Sequence, residues 1–140
     1  IFRIRGEDDP GAEARQYSEL VISMVPEYRG MPQFDLMLLG LGDDGHIASV
    51  FPDRPDLLTT VHLYEVAVRP DKKQKRITAT GRLINNSSKI YYIVTGKSKA
   101  SIVSRVLEGK TGTDLIPASG IMPVSGHLVW MLDKEAASLL

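Results

Sequence analysis

Apolar and polar positions along this 140-residue chain switch between two periods, and the switching outlines its elements. The opening Ile1-Phe2-Arg3-Ile4-Arg5 is strand-like, and the charged stretch 6–11 reads as a turn. Residues 12–25 space Ala14, Tyr17, Leu20 or Val21, and Met24 as one face of a helix. Pro26, Gly30 and Pro32 form a connection to residues 36–39, a short apolar run that predicts a buried strand. Prolines leave 53–60 irregular, and 61–68 alternates as a strand. Pro70 with Lys72, Lys73 and Lys75 makes a solvated basic loop. Residues 76–84 read as a strand and 85–88 as a polar turn; 89–95 is a strongly β-prone run that Gly96 ends. Ile102, Val103, Val106 and Leu107 form the apolar stripe of a helix over 99–107. A loop at 109–113, a short strand at 128–132 and a closing helix at 134–140 complete the chain. Strands alternating with helices predict one α/β domain over residues 1–140, with a mainly parallel sheet flanked by helices.

Composition narrows the function classes. At 43% hydrophobic and 24% charged residues the chain has the material for a packed core, which sets it apart from disordered sequences. Its 17 basic and 17 acidic residues cancel. That balance provides no electrostatic case for a nucleic-acid or membrane partner, whose negative surfaces favour a basic excess. Cysteine is absent, so disulfides and thiol chemistry are excluded; the absence is compatible with a cytoplasmic location. No apolar stretch approaches the roughly 20 residues that span a bilayer.

The chemistry concentrates after the strand at 36–39, in Gly40-Leu41-Gly42-Asp43-Asp44-Gly45-His46. Glycines let the backbone take positive φ and approach a ligand closely. A loop beyond a strand's carboxyl end is where open α/β sheets hold their ligands. A carboxylate two residues before an imidazole can orient the ring and stabilise its protonated form. The same residues match the dinucleotide pattern Gly40-x-Gly42-x-x-Gly45, with Glu65 where an acidic ribose ligand would be sought. That pattern needs its third glycine to open a full helix, and here only residues 46–51 could be helical before Pro52 and Pro55. A Gly/Asp-rich turn with a surface histidine is the plain alternative.

Other candidates are weaker. Gly96-Lys97-Ser98 suggests a phosphate-binding P-loop, but that motif's first glycine falls on Tyr91. A strand, a glycine and a helix start still offer backbone N–H groups and Lys99 to a monoester phosphate. His62 and His127 have no comparable neighbours. Ser49 lies near His46 without a G-x-S-x-G elbow. Trp130, the single tryptophan, sits in an apolar run and reads as core. Asp43, Asp44 and His46 do not make a defined metal-ligand set, so no metal is expected.

The segment GLGDDGHIASVFP resembles the signature of the 6-phosphogluconolactonases, within the glucosamine-6-phosphate isomerase-like superfamily. Arg76-Ile77-Thr78-Ala79-Thr80 with Asn85, Val94 to Ala100, and Trp130-Met131-Leu132-Asp133 followed by Ala136-Ala137 agree with it in order. Asp43 stands where that family often has proline, and Gly81-Arg82 replaces a usual Leu-Pro, in a loop expected near the substrate. The resemblance implies a Rossmann-like fold of the sugar-phosphate isomerase type. It implies cofactor-free hydrolysis of 6-phospho-D-glucono-1,5-lactone, with that sugar-phosphate lactone as the partner molecule. His46 would be the base that activates water, and Asp44 would hold the ring or the substrate hydroxyls. Gly42 and Gly45 would bound a loop whose N–H groups stabilise the oxyanion, and Lys99 with Arg76 would bind the phosphate. The related amino-sugar isomerases carry Asn-Glu-Pro after a similar Gly-His-Ile-Ala; Val50-Phe51-Pro52 lacks that carboxylate. A non-catalytic sugar-phosphate-binding module is the remaining alternative.

Because lactonases of this type are longer and the chain opens on Ile1, the resemblance implies an incomplete domain. The expected missing part is N-terminal, with the first strands and a glycine-rich sugar-phosphate loop. On that reading residues 1–140 alone have little or no lactonase activity. Pairing of two copies as a homodimer across the uncovered sheet edge is one arrangement that would shield it.

Overall fold

The computed structural model describes residues 1–70, 73–109 and 116–140. Lys72 and positions 110–113 of the expected loop lie outside the described residues. Helix α1 spans Pro10–Met24, two residues earlier than its apolar spacing suggests. Asp9 caps it by accepting the Ala12 N–H at 2.9 Å, and Pro10 takes the first turn, where a missing N–H costs no intrahelical bond. Residues 1–5 are not a strand. The Arg5 N–H donates to the Glu13 carboxylate at 2.8 Å and its guanidinium to the same group at 3.0 Å, so this segment is tied to α1 rather than to a sheet.

The connection after α1 is a small hairpin, β1 (Glu27–Tyr28) with β2 (Met31–Pro32). Arg29 and Gly30 both take positive φ, as a tight two-residue hairpin turn requires. Buried Asn86 fastens this hairpin by donating to the Met31 and Pro32 carbonyls at 3.1 and 2.9 Å. The central sheet has the order β3-β6-β7, all parallel: β3 is Met37–Leu39, β6 Lys89–Val94 and β7 His127–Leu132. Strands β4 (Tyr64–Val68) and β5 (Lys75–Ala79) form a separate antiparallel pair, covered by α1 through an edge-on Tyr17–Tyr64 contact.

Three expected boundaries move. The strand foreseen over 76–84 ends at Ala79, and Gly81–Asn85 is helix α3. A side chain at Gly81 would lie 2.4 Å from the Leu58 carbonyl, so glycine allows α3 to pack on α2, Asp56–Thr59, within the stretch read as irregular. Gly81 and Arg82 therefore serve helix packing, and Arg82 reaches Met31. The closing helix at 134–140 is a series of turns started by Asp133, whose carboxylate accepts the Ala136 N–H at 2.7 Å. Helix α4 is Ala100–Leu107, preceded by a 3₁₀ turn over Lys97–Lys99.

Register divides the sheet into two unlike faces. Leu39, Tyr92 and Trp130 align across one face, where Tyr92 is buried, meets Trp130 edge-on at 4.5 Å and donates its hydroxyl to the Ala118 carbonyl. Trp130 is thus packed on the core. On the opposite face Leu38, Ile93, Val129 and Met131 are open to solvent, although parallel sheets are ordinarily covered on both sides. Among the described residues no helix is long and apolar enough to cross a membrane.

The core also reaches into the loop after β3. Ile47, Val50 and Phe51 are almost fully buried, each contributing roughly 1.5–3 kcal/mol of apolar transfer as an upper estimate. The residues that could have been helical, 46–51, instead form a tight turn with an Ile47–Val50 bridge, and Ala48 at φ 47°. The buried Ser49 N–H donates to Thr78 Oγ1 on β5 at 3.0 Å, binding this turn to the hairpin. Thr78→Val keeps the shape but removes the acceptor. It should destabilise the protein by about 1–3 kcal/mol, measured as a lower urea midpoint at unchanged m-value.

Candidate active site

His46 stands at the meeting point of two depressions. One, of about 300 Å³, is lined by Asp43, Asp44, His46, Phe51, Arg69 and Pro70. The other, of about 500 Å³, is lined by residues including Gly40, Gly42, His46, Ala48 and Lys99. The loop between them folds on itself: the Gly45 N–H donates to the Gly42 carbonyl at 3.0 Å, and the Gly42 N–H to the His46 carbonyl at 2.9 Å. Asp43 and Asp44 occupy the two middle positions of that turn. Gly45 takes φ +84°, and its carbonyl accepts the Ala118 N–H.

Asp44 Oδ1 receives two hydrogen bonds from one residue, from the His46 N–H at 3.1 Å and from Nδ1 of the ring at 2.6 Å. Partial burial pushes the Asp44 carboxyl upward. The His46 backbone and ring bonds outweigh it and hold the group below its ordinary value. An ionised carboxylate only accepts, so Nδ1 must carry the proton, leaving the Nε2 lone pair on the neutral ring. The ring is 30% exposed and rests against Phe51 with centroids 4.9 Å apart. Glycine at position 42 is what admits it, since a Cβ there would lie 2.0 Å from His46 Nδ1.

Lys99 reaches the same loop from the other side. Its ammonium pairs with Asp43 at 2.6 Å. The Gly96 N–H, expected to be open to an anion, is taken by both oxygens of Asp133 at 3.1 and 3.0 Å. Asp133 therefore shapes the turn that delivers Lys99 to the site.

Other sequence candidates are placed differently. Arg76 pairs across the hairpin with Ala67, hydrogen-bonds Gln74 and lines neither depression; the arginine that lines one is Arg69. Of the loop N–H groups expected around an oxyanion, those of Gly42 and Gly45 bond within the loop. Gly42 lines the larger depression, whereas Gly45 lines neither. His62 belongs to a separate depression beside α1, where it stands 3.8 Å from Glu65, beyond the range of the hydrogen bond that fixes His46. His127 opens β7, exposed. Ser49 is buried by its bond to Thr78.

A three-stranded parallel sheet whose first strand runs into a glycine-bounded Asp–His loop, with a lysine facing it, places the chain among the α/β sheet proteins. The sequence model of the glucosamine-6-phosphate isomerases/6-phosphogluconolactonase family matches residues 1–130, and the chain belongs to that family. The chain is 44% identical over 106 residues to a 6-phosphogluconolactonase of Treponema pallidum, covering 76% of this chain and 44% of the relative. A crystal structure of a devB protein superposes with a TM-score of 0.94 at 37% identity, over 99% of this chain and 58% of that one. A monomeric glucosamine-6-phosphate deaminase superposes at 0.72 with 30% identity, over 95% and 56% of the two chains. The chain thus spans about half the length of the curated relatives it matches.

The lowered Asp44 carboxyl sets a direction with pH. Its contribution to stability is complete above the unfolded value of about 3.9 and is lost as pH falls through the lower folded value. Asp44→Asn should therefore destabilise the protein at pH 7, and the gap to the unsubstituted protein should narrow as pH falls from about 5 towards 3. Thermal melts across that range measure it.

Proposed function

We propose that the protein containing this chain hydrolyses 6-phospho-D-glucono-1,5-lactone to 6-phospho-D-gluconate, the second step of the oxidative pentose phosphate pathway, without a cofactor. The observation that carries the reading is the Asp44–His46 pair, with His46 lining both depressions and Lys99 lining the larger of them. Nε2 takes a proton from water as the water oxygen adds to the lactone carbonyl. Collapse of the resulting tetrahedral oxyanion breaks the ring ester bond, and the imidazolium returns the proton to the departing ring oxygen. Asp44 stabilises the transient imidazolium and keeps Nδ1 protonated throughout. Lys99 anchors the phosphate, and Arg69 supplies positive charge across the neighbouring depression.

The likeness to a glucosamine-6-phosphate deaminase supports a second reading, amino-sugar isomerisation on the same fold. Buried Val50 and Phe51 after the His46 loop offer no carboxylate for proton handling between substrate carbons, which favours the lactonase. Both reactions are assayed on the full-length protein; ammonia release from glucosamine 6-phosphate would overturn the choice. His46→Asn should lower kcat for the lactone by about 10²-fold or more with KM little changed. Unchanged turnover would remove His46 from the chemistry, and absence of turnover of either substrate by the unsubstituted full-length protein would favour a binding module. Gly42→Ala, which leaves the His46 side chain intact but pushes it aside, should also depress kcat, by on the order of 10²-fold for a displacement near 1 Å.

A further inference from the structure

The two adjacent carboxylates of the Gly42–Gly45 turn face different partners. Asp44 is committed to His46, while Asp43 closes on Lys99 at 2.6 Å. The Lys99 side chain is only 23% exposed, whereas that of Asp43 is 72% exposed. The cation is therefore part of the wall of the larger depression, and the anion is an exposed arm that lines the smaller one and reaches it from there. Among the described residues Asp43 has no other ion pair or side-chain hydrogen bond, so nothing in the turn requires its charge. Its backbone position is set independently by the Gly45-to-Gly42 hydrogen bond.

We propose that Asp43 is an internal competitor for the phosphate: its carboxylate occupies the Lys99 ammonium in the empty site and must swing away when a phosphate monoester binds. This rests on Lys99 being the phosphate anchor. An ammonium has three donors, so carboxylate and phosphate could share it geometrically, but two anions a few ångströms apart repel. Asp43 thus weakens phosphate binding and sets the site's affinity. The opposition is greater for the hydrolysis product than for the lactone, because ring opening adds a second anionic group beside the same loop. An affinity-limiting residue of this kind discourages retention of product.

The test is a double-mutant cycle on the full-length protein, with Asp43→Asn, Lys99→Ala and the pair, reading the dissociation constant of inorganic phosphate by calorimetry and inhibition by 6-phosphogluconate. Asparagine preserves the size and turn preference of Asp43 while removing the charge. Asp43→Asn should tighten phosphate about 3- to 5-fold at low ionic strength, the scale of one exposed ion pair, with the gain shrinking at high salt. Product inhibition should strengthen by at least as much. In the Lys99→Ala background the same substitution should change phosphate binding by less than about 1.5-fold, because the shared cation is gone. Unchanged affinity in Asp43→Asn, with Lys99→Ala still weakening phosphate, would overturn the competitor role and leave the anchor intact. An equal gain with and without Lys99 would overturn it too, assigning the effect to general charge. No loss of phosphate binding in Lys99→Ala would instead remove the anchor on which the proposal stands.

Discussion

One carboxylate oxygen organises the site. Asp44 Oδ1 accepts both the main-chain N–H and the ring Nδ1 of His46, so a single atom fixes the residue's backbone and its imidazole together. The constraint is local, but it depends on two features that are not. Gly42 must lack a side chain for the ring to lie where it does, and Ile47, Val50 and Phe51 must be buried to hold the chain just beyond the histidine. A flexible glycine loop that ran straight into solvent would leave the ring free to rotate. Here the glycines bend the chain, and the core immediately behind them removes the freedom they introduce.

The loop's position follows from the sheet. Strand β3 delivers Gly40 at its carboxyl end, and parallel β6 continues past Tyr92, the partner of Leu39, to Val94, so Gly96 and the turn to Lys99 emerge on the same side. Asp133, just past the end of β7, then takes the Gly96 N–H, and the ends of β6 and β7 are tied together through one short stretch of backbone. The anion-binding corner that a strand-glycine-helix sequence suggests is thus partly filled by the protein's own carboxylate. The remaining positive charge is carried on a side chain, Lys99, rather than on open N–H groups.

Much of this was legible in the sequence, for identifiable reasons. The β3 and β6 runs are short, apolar and bounded by glycine, and the Asp44–His46 spacing lies within one turn, where local geometry alone brings the groups together. Boundaries that depend on distant partners were not legible. Nothing between Arg76 and Ile84 announces that Gly81 will meet the backbone of Leu58, so a strand and a helix read as one strand. Arg76 is the second cation that the family resemblance points to, and Arg69 carries no such signal in the sequence. The hairpin register instead sets Arg76 beside Gln74 and brings Arg69 to the depression, information that resides in strand pairing. Residues 1–5 have strand composition but are captured by Glu13. The Asp9 cap and Pro10, by contrast, were readable signals for the start of α1.

The proposed chemistry requires Asp44 to hold His46 with a free lone pair on Nε2. The direct measurement is the tautomer of that ring, read from long-range ¹H–¹⁵N correlation spectra of the full-length protein at a pH where the imidazole is neutral, and assigned through His46→Asn. The expected spectrum is that of an Nδ1–H ring with an unprotonated Nε2, reverting to a mixed population in Asp44→Asn. An Nε2–H ring in the unsubstituted protein, or a ring unchanged by loss of the Asp44 charge, would contradict it.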